Sequence, residues 1–431
     1  MVSAVGVHAR SWCAYHKRRF PRIDIELDYE ILGKMPRYTT GDTVRGAIKI
    51  SGSSAVSFDK LDIKLEGVSM VLAARDGLLI LRGASQKFLQ LHHPFEPSAD
   101  STHVMPDHPY NIRFEFAIPP CLLPDVCVQE KKNPSVERSH TLLPPSLHNE
   151  LGKRSSEACC ITYHICVDIL RRRQDGLLES LGRAKKRITI TPDSNENPPM
   201  LLEPNIPHPQ YRICQEKTVK AGAARRDIGR LVVAASQPTP ICLGTPARGS
   251  LGSKTTVYLR FDPLGDNPPP ALHCVSTKLR VATYYSVSHF DEYPDMLPES
   301  KRKASNIGLN RKTVALQELC ISSVQWTRHT TGLDDNLPDT STVHSSPESP
   351  ASLRQETYYS AAVVVPLTLP DRTPFIPTFH SCLISRVYAV QIDASYRARD
   401  RSVRKSTVSL RIPIQLINRQ ISSRDDGDAP L

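Results

Sequence analysis

The sequence predicts an all-β protein made of two strand-rich blocks. Apolar and polar residues alternate along most segments, as in RIDIEL and NIRFEFAI, and a period of two is typical of strands with one buried face. Proline accounts for 36 of the 431 residues. Because proline is excluded from helix interiors and central strands, this content favours short strands joined by many loops. No segment has the periodicity of a long helix.

In the first block, alternating apolar residues give each strand a predicted inward face. In chain order these residues are Ile23, Ile25, Leu27 and Tyr29; Leu61, Ile63 and Leu65; Ile112, Phe114, Phe116 and Ile118; and Ile161, Tyr163, Ile165, Val167 and Ile169. The short strand RITI follows them. Turn-forming residues separate the strands, among them Asp175 and Gly176.

The second block repeats this pattern after residue 210. Its predicted strands are IGRLVVAA, TTVYLRF, TKLRVATYY, SVQWTRH, YSAAVVVPLTL, RVYAVQIDASY and TVSLRIPIQLI, in that order. Two strand-rich blocks of similar size, each with strong turn signals, indicate tandem antiparallel β-sandwiches.

The stretch RYTTGDTVRGAIKI contains two glycines with different expected roles. Gly41 precedes Asp42 in a turn, where a positive φ costs glycine little. Gly46 falls on the same face as Val44, so we expect it to point inward and to leave room for a neighbouring side chain. We therefore expect Gly41, Asp42, Val44 and Gly46 to mark the fold and to carry no chemistry.

Composition divides the chain into segments. Residues 193–210 carry five prolines and are predicted to form a linker between sandwiches at 22–192 and 211–418. Residues 1–21 and 419–431 are predicted as disordered tails, and the first tail is basic, with a composition partly like that of a mitochondrial presequence. Long polar insertions are also predicted to be disordered: 96–109, 129–157, 288–310 and 330–355.

Positive charge is the clearest functional signal. The formal net charge of +11 favours acidic partners: phosphorylated peptides, anionic lipid or nucleic acid. The first cluster comprises Arg171, Arg172, Arg173, Arg183, Lys185, Lys186 and Arg187, which a hairpin would bring into one patch. The second cluster comprises Lys217, Lys220, Arg225 and Arg226, with Arg230 beside them, and a third contains Arg397, Arg399, Arg401, Arg404 and Lys405. Arginine suits phosphate and carboxylate because it binds both in a bidentate manner.

Signals for catalysis, metals and cofactors are absent from the sequence. The chain has no GxSxG, HExxH, P-loop or GxGxxG motif, so we expect no enzyme activity and no cofactor. Its 11 cysteines include no CxxC pair, and the other spacings do not match a zinc motif. We therefore expect buried, reduced thiols and no bound metal.

Four segments together resemble a known family. YTTGDTVRGAIKI is similar to the Y-x-x-G-D-x-V-x-G-x-[VI] element of arrestin N-domains, and KLDIKLEGVS and YNIRFEFAIPPCLLP follow in the family's order. FIPTFHSCLISRVYAVQIDASY is similar to an arrestin C-domain strand pair. The chain thus resembles the arrestin superfamily, most closely fungal α-arrestin-like proteins, which implies two immunoglobulin-like sandwiches.

The resemblance also implies a function. Such proteins are cytosolic adaptors that bind membrane-protein cargo at the plasma membrane or endosome and link it to endocytosis and ubiquitination. They recruit a HECT-type ubiquitin ligase through Pro-Pro-x-Tyr motifs. The Pro-Pro pairs in PPCL, PPSL, PPML and PPAL all lack the tyrosine.

Two other classes remain open at this point. One is a scaffold subunit of a trafficking complex, of the retromer-subunit kind. The other is a basic nucleic-acid-binding protein, although aromatic residues rarely interleave with the basic runs, so no base-stacking surface is apparent and we expect no nucleic acid.

Overall fold

The computed structural model describes residues 21–30, 35–52, 55–75, 78–94, 103–104, 109–123, 126–127, 133–148, 158–194, 202, 208–222, 225–244, 252–321, 323–330, 357–371, 373–398 and 405–419. These residues are mainly β-strand, with two short helices. The predicted all-β class is therefore confirmed.

Strands β1 to β10 and helix α1 belong to the N-terminal part. Their bounds are Arg22–Leu27 (β1), Arg37–Tyr38 (β2), Thr43–Ser51 (β3), Val56–Ser57 (β4), Lys60–Arg75 (β5), Leu78–His93 (β6), His103–Val104 (β7), Tyr110–Ala117 (β8), Pro134–His140 (α1), Ala158–Arg172 (β9) and Leu178–Ile190 (β10). They pair as a three-stranded sheet in the order β1-β3-β8 and a five-stranded sheet in the order β2-β10-β9-β5-β6, while β4 pairs with β7.

The first core is formed by apolar residues of both of these sheets. Ile48 of β3, Ile63 of β5 and Ile165 of β9 are fully buried. The inward faces predicted for β5, β8 and β9 are confirmed, because the buried positions alternate as the sequence pattern requires. The prediction for Tyr29 is wrong: β1 ends at Leu27, the chain turns, and Tyr29 is 72% exposed.

The C-terminal part contains the remaining elements. Their bounds are Cys214–Ala221 (β11), Arg226–Ala235 (β12), Ile241–Leu243 (β13), Ser253–Pro263 (β14), Ala271–Tyr285 (β15), Glu299–Ala304 (α2), Gly308–Cys320 (β16), Thr327–Thr330 (β17), Thr357–Leu367 (β18), Phe379–His380 (β19), Ile384–Arg397 (β20), Ser406–Ile414 (β21) and Leu416–Asn418 (β22). One sheet has the order β11-β12-β14-β18-β17, and the other has the order β16-β15-β20-β19 with β21 also on β20. β13 and β22 form a parallel pair, and a second core draws residues from both larger sheets.

The two parts of the chain are in contact, and two sets of these contacts lie far apart in the sequence. Phe379, Leu383 and Ile384, around the turn between β19 and β20, are buried in the first core. In the second set, the Ser194 amide donates to the Asn418 carbonyl oxygen, and the Asn418 amide donates to Ser194 Oγ, both at 2.8 Å. The last described strand therefore ends beside the last residues of the N-terminal part.

The prediction of disorder is wrong for residues 288–310. This segment is folded and contains α2, and Phe290 and Arg302 within it are 3% and 4% exposed. Asp295 is also buried and accepts a hydrogen bond from the Tyr211 hydroxyl at 2.8 Å. The polar composition was misleading because Asp295 and Arg302 are buried with partners, although most polar residues of the segment remain exposed.

The other predicted disordered segments are covered only in part. Residues 133–148 of the insertion at 129–157 are folded and include α1. The tails, the insertions at 96–109 and 330–355 and the linker at 193–210 lie mostly outside the described residues. The proposed domain boundaries stay predictions.

The two glycines before and within β3 adopt the expected positions. Gly41 has a φ of +82°, and the neighbouring Asp42 carboxylate accepts a hydrogen bond from the Thr39 amide at 2.8 Å. Gly46 is buried and lies opposite Phe114 of β8. A Cβ atom at Gly46 would lie 2.9 Å from Phe114 Cζ, so the phenyl ring occupies the space that glycine leaves.

Candidate functional site

The first basic cluster lies on a hairpin of β9 and β10, as the sequence predicts. The strands are antiparallel, with Lys185 opposite Cys166. Their connecting turn is specified locally, because Gly176 has a φ of +83° and the Asp175 carboxylate accepts a hydrogen bond from the Leu177 amide at 3.0 Å. The hairpin does not bring all members of the first cluster into one patch, and that part of the prediction is wrong. Arg172 lies opposite Leu178 beside the turn, whereas Lys185 lies opposite Cys166, six residues and about 20 Å farther along β9.

Four members of the first cluster form ion pairs with acidic neighbours. Glu179 lies 3.2 Å from Arg173 and 3.8 Å from Arg171, Asp168 lies 2.7 Å from Arg183, and Glu30 lies 2.7 Å from Lys186. Such exposed pairs add little stability, but the three carboxylates offset most of the charge of these four side chains, with Arg171 and Arg173 sharing Glu179. This leaves Arg172, Lys185 and Arg187 as the cationic groups available to a ligand.

Lys185 and Arg187 belong to a small cationic surface, the β10 patch, which also includes Arg37. Lys185, Arg187 and Thr189 are alternate residues of β10 and therefore lie on the same face of the sheet. Arg37 of β2 lies opposite Thr189. Within the described part of the chain, none of the three forms an ion pair. Arg187 contacts His148, with 3.4 Å between the guanidinium nitrogen and Nδ1.

The pKa of His164 depends on the charges of this patch. It lies on β9 directly opposite Arg187. Burial lowers the pKa of His164 below its ordinary value, and the charges of Lys185 and Arg187 lower it further, against an opposing effect of Glu66. The imidazole is therefore held neutral beside two cations, and an anion bound to them would raise its pKa.

A cavity of about 1230 Å³ opens beside the end of β10 that carries Thr189. Its lining includes residues from both parts of the chain: Arg37, Tyr38, Arg45, Ser146, His148 and Arg386. Arg45 pairs with Glu115 at 3.3 Å, and the buried Arg386 guanidinium donates to Thr283 Oγ1 at 3.0 Å. Cationic side chains thus extend from the β10 patch into the cavity.

Tyr38 is the polar residue of the cavity whose hydroxyl has no partner among the described residues. The side chain is 7% exposed, and its hydroxyl oxygen is buried. Burial, together with the negative charges of Asp28, Glu30 and Asp42, raises the pKa of Tyr38 to about 12. The hydroxyl therefore stays protonated at neutral pH.

No family model and no curated protein matches this chain. In the residues that the structure describes, neither helix is long or apolar enough to cross a bilayer.

The second and third clusters lie elsewhere. Lys217 and Lys220 are on β11; the first donates to the Thr407 carbonyl oxygen at 2.9 Å and the second lies 3.4 Å from Asp227. Arg225 and Arg226 follow at the start of β12, in the C-terminal sheet. Of the third cluster, Arg397 and Lys405 lie at strand ends, and the residues between 399 and 404 lie outside the described part.

Sequence reasoning missed the residues that join the β10 patch to the cavity. Arg37 is the first residue of the stretch RYTTGDTVRGAIKI, and the fold markers Gly41 and Asp42 of that stretch also line the cavity. No sequence signal connects Arg37 with Arg187, because their proximity arises from the parallel pairing of β2 with the far end of β10. His148 and Arg386 are likewise brought in only by the tertiary fold.

Proposed function

We propose that this protein is a non-enzymatic, arrestin-like adaptor in which two antiparallel β-sandwiches bind acidic or phosphorylated tails of membrane proteins. The order of the motifs that resemble arrestins supports this, as do two cores that each draw on two sheets. The observation that carries the binding site is the β10 patch, where Lys185, Arg187 and Arg37 have no ion pair within the described residues and where Arg37 also lines the neighbouring cavity.

The spacing of the patch suits an extended acidic segment. Alternate residues on a strand are about 6.6 Å apart, so Lys185, Arg187 and the Thr189–Arg37 position form a regular row. An extended peptide has the same repeat, so phosphate or carboxylate groups at alternate positions would match it. Charge-assisted hydrogen bonds from arginine to such groups are among the strongest in proteins.

Partners and location follow from the same proposal. The adaptor works in the cytoplasm and is recruited to the plasma membrane or endosome by cargo, with anionic lipid as an additional contact for the basic surface. The absence of a Pro-Pro-x-Tyr sequence means that a HECT-type ligase or other effector would bind through different residues. Links to endocytosis and ubiquitination belong to this proposal.

A peptide-binding experiment tests the site. An acidic peptide with phosphoserines at alternate positions should bind the full chain more tightly than its unphosphorylated form, measured by fluorescence anisotropy. The double variant Lys185→Glu, Arg187→Glu should weaken binding by about tenfold or more, equivalent to about 1.4 kcal/mol. The control Lys254→Glu, Lys312→Glu makes the same change in net charge at exposed positions of the C-terminal sheets and should bind as the unaltered protein does.

His164 supplies an independent readout of where the peptide binds. Because Lys185 and Arg187 lower the His164 pKa, a bound phosphate should raise it, and binding should tighten as the pH falls through that pKa. Imidazole NMR shifts measured with and without peptide give this value directly. Equal losses in both double variants, or an unchanged His164 pKa, would contradict the assignment.

Tighter binding to RNA or to a stable protein partner would favour the nucleic-acid or scaffold alternative.

A further inference from the structure

Three soft metal-ligating side chains meet at the junction between the two parts of the chain. The ligand atoms of Cys127, His140 and Cys382 all lie within 4.8 Å of one another. Cys127 Sγ is 3.4 Å from His140 Nδ1. His140 and Cys382 are 2% and 4% exposed, so the cluster is shielded from solvent on most sides.

Each of the three residues is positioned by surrounding structure. Cys127 follows Val126, whose carbonyl oxygen accepts from Gln86 Nε2 of β6 at 3.0 Å. His140 is the last residue of α1, a helix that begins at an Asn133 cap. Cys382 lies in the turn between β19 and β20, and its carbonyl oxygen accepts from the Phe290 amide at 2.9 Å.

Helix α1 is also tied directly to the C-terminal part beside this cluster. Ser139, which precedes His140, has its Oγ 2.9 Å from the Tyr293 hydroxyl oxygen. Tyr293 in turn packs edge-on against His380, two residues before Cys382, with ring centroids 4.6 Å apart. The three ligand groups are therefore held close together before any ion binds, which lowers the ordering cost of binding.

We propose that Cys127, His140 and Cys382 bind a zinc ion. Zinc bonds of about 2.3 Å to sulfur and about 2.0 Å to nitrogen, at tetrahedral angles, separate the two ligand atoms by about 3.6 Å. The separation between Cys127 Sγ and His140 Nδ1 is close to this value. Thiolate and imidazole ligands favour zinc over calcium or magnesium, which prefer oxygen.

Zinc binding at this site is accompanied by proton release. Both thiols lose a proton on binding the ion, so two thiolates and one neutral imidazole surround Zn²⁺ and the charges of the ion and thiolates cancel. Three protein ligands leave one tetrahedral position for water or another donor. Affinity for the ion therefore falls as the pH is lowered and protons compete for the thiolates.

Such an ion would crosslink the two parts of the chain. Cys127 and His140 come from the N-terminal part, whereas Cys382 comes from the C-terminal part. Zinc is thus a structural clamp between them, separate from the β10 patch. The wide separation of Cys382 from the other two ligands in the sequence explains why spacing rules predict no metal here.

Metal analysis of the full chain tests the site. Protein loaded with zinc and then desalted should retain about one ion per chain by mass spectrometry, because the three ligands form a single site. Cys127→Ser and Cys382→Ser should each abolish this retention. Cys121→Ser, which removes an exposed thiol near Cys127, should leave it unchanged. Equal zinc content in all four proteins, or none in the unaltered chain, would overturn the proposal.

Two measurements on the unaltered chain guard against variants that fail to fold. Cobalt in place of zinc should give thiolate-to-cobalt absorption, and bound zinc should protect Cys127 and Cys382, but not Cys121, from alkylation. Zinc should also raise the melting temperature, because it binds the folded state. A Cys127–Cys382 disulfide in protein purified under native conditions, with both thiols missing from the alkylation map, would contradict the metal site.

Discussion

Gly46 is the position at which β3 packs closely against a side chain of β8. It faces the first core from β3, and the Phe114 ring of β8 lies against its backbone. The same arrangement recurs at Gly67, where the rings of Phe88 and Tyr163 take up the space. Glycine weakens a strand by itself, but here the neighbouring ring restores the buried contact that a side chain would have made.

The substitution Gly46→Val tests this packing. A Cβ at this position would come within 2.9 Å of Phe114 Cζ and closer still to the Glu26 carbonyl oxygen, a backbone atom that cannot rotate away. We expect a loss of unfolding free energy of about 1–3 kcal/mol in a denaturant titration. Gly83→Val is the matched control, since its Cβ would lie 3.6 Å from Leu72 Cδ1, an ordinary contact, and it should be nearly neutral. Equal effects of the two substitutions would show that overpacking is not the cause.

At the scale of elements, alternation of apolar and polar residues predicts strands that have one buried face, and it misses strands that lack one. β5, β8 and β9 are recovered because their inward residues are aliphatic or aromatic and almost fully buried. β16 is missed because most of its residues are only partly buried, so its apolar pattern is weak. Helices α1 and α2 span seven and six residues, which is too short for a helical period to emerge.

The candidate site was predictable only as far as one hairpin. Local sequence correctly placed the basic residues on one hairpin, because a turn signal separates two strand patterns. It did not show that the strand register keeps Arg172, beside the turn, apart from Lys185 and Arg187. Which of those residues remain available depends on acidic partners such as Glu30 and Asp168, one of them distant in sequence. The contribution of Arg37 and the cluster at Cys382 depend on long-range contacts that a local pattern does not encode.

The outer face of β5 and β6 carries charge pairs that make stability depend on pH. Asp62 lies 2.7 Å from Lys64 and 3.1 Å from His92 of β6. Burial acts to raise the Asp62 pKa, but hydrogen bonds and charges from Lys64 and His92 outweigh it, so the pKa lies below its ordinary value.

The resulting stability should be lost in acid. The unfolded chain binds a proton at Asp62 near pH 3.9, before the folded chain does, so the contribution is complete above that pH and declines as the pH falls through the folded pKa. Asp62→Asn should therefore flatten the fall in unfolding free energy between about pH 5 and pH 2, measured by urea titration. Asp266→Asn, at an exposed loop position, should leave the slope unchanged. Parallel slopes for Asp62→Asn and the unaltered protein would contradict the assignment.

At the scale of the whole molecule, apolar residues of the C-terminal part are buried in the first core. Leu383 belongs to the C-terminal part by sequence but is 2% exposed within the first core. Trp326 packs against the second core. A substitution at Leu383 should therefore lower the stability of both parts if they unfold together.

Leu383→Ala measures this coupling in a Trp12→Phe background, which leaves Trp326 as the single tryptophan. The cavity created should cost about 2–5 kcal/mol. We expect the Trp326 fluorescence midpoint and the circular dichroism midpoint to fall by the same amount in urea. Leu264→Ala, at a leucine that is 60% exposed, should move neither midpoint appreciably. A shift in circular dichroism alone would show that the cores unfold independently.

The reciprocal hydrogen bonds between Ser194 and Asn418 have a mechanical consequence. They hold the end of the N-terminal part beside the end of the last described strand. The chain between Ser194 and Asn418 is therefore a loop whose two ends are joined by hydrogen bonds. If this were the only attachment, the C-terminal part could rotate about it without stretching either of the two backbone segments that meet there. The turn that carries Cys382 and Leu383 supplies a second point of attachment, and two separated points define an axis that removes most of that freedom. Burial of this turn in the first core, together with the contact between Ser139 and Tyr293, therefore restrains rotation of one part against the other.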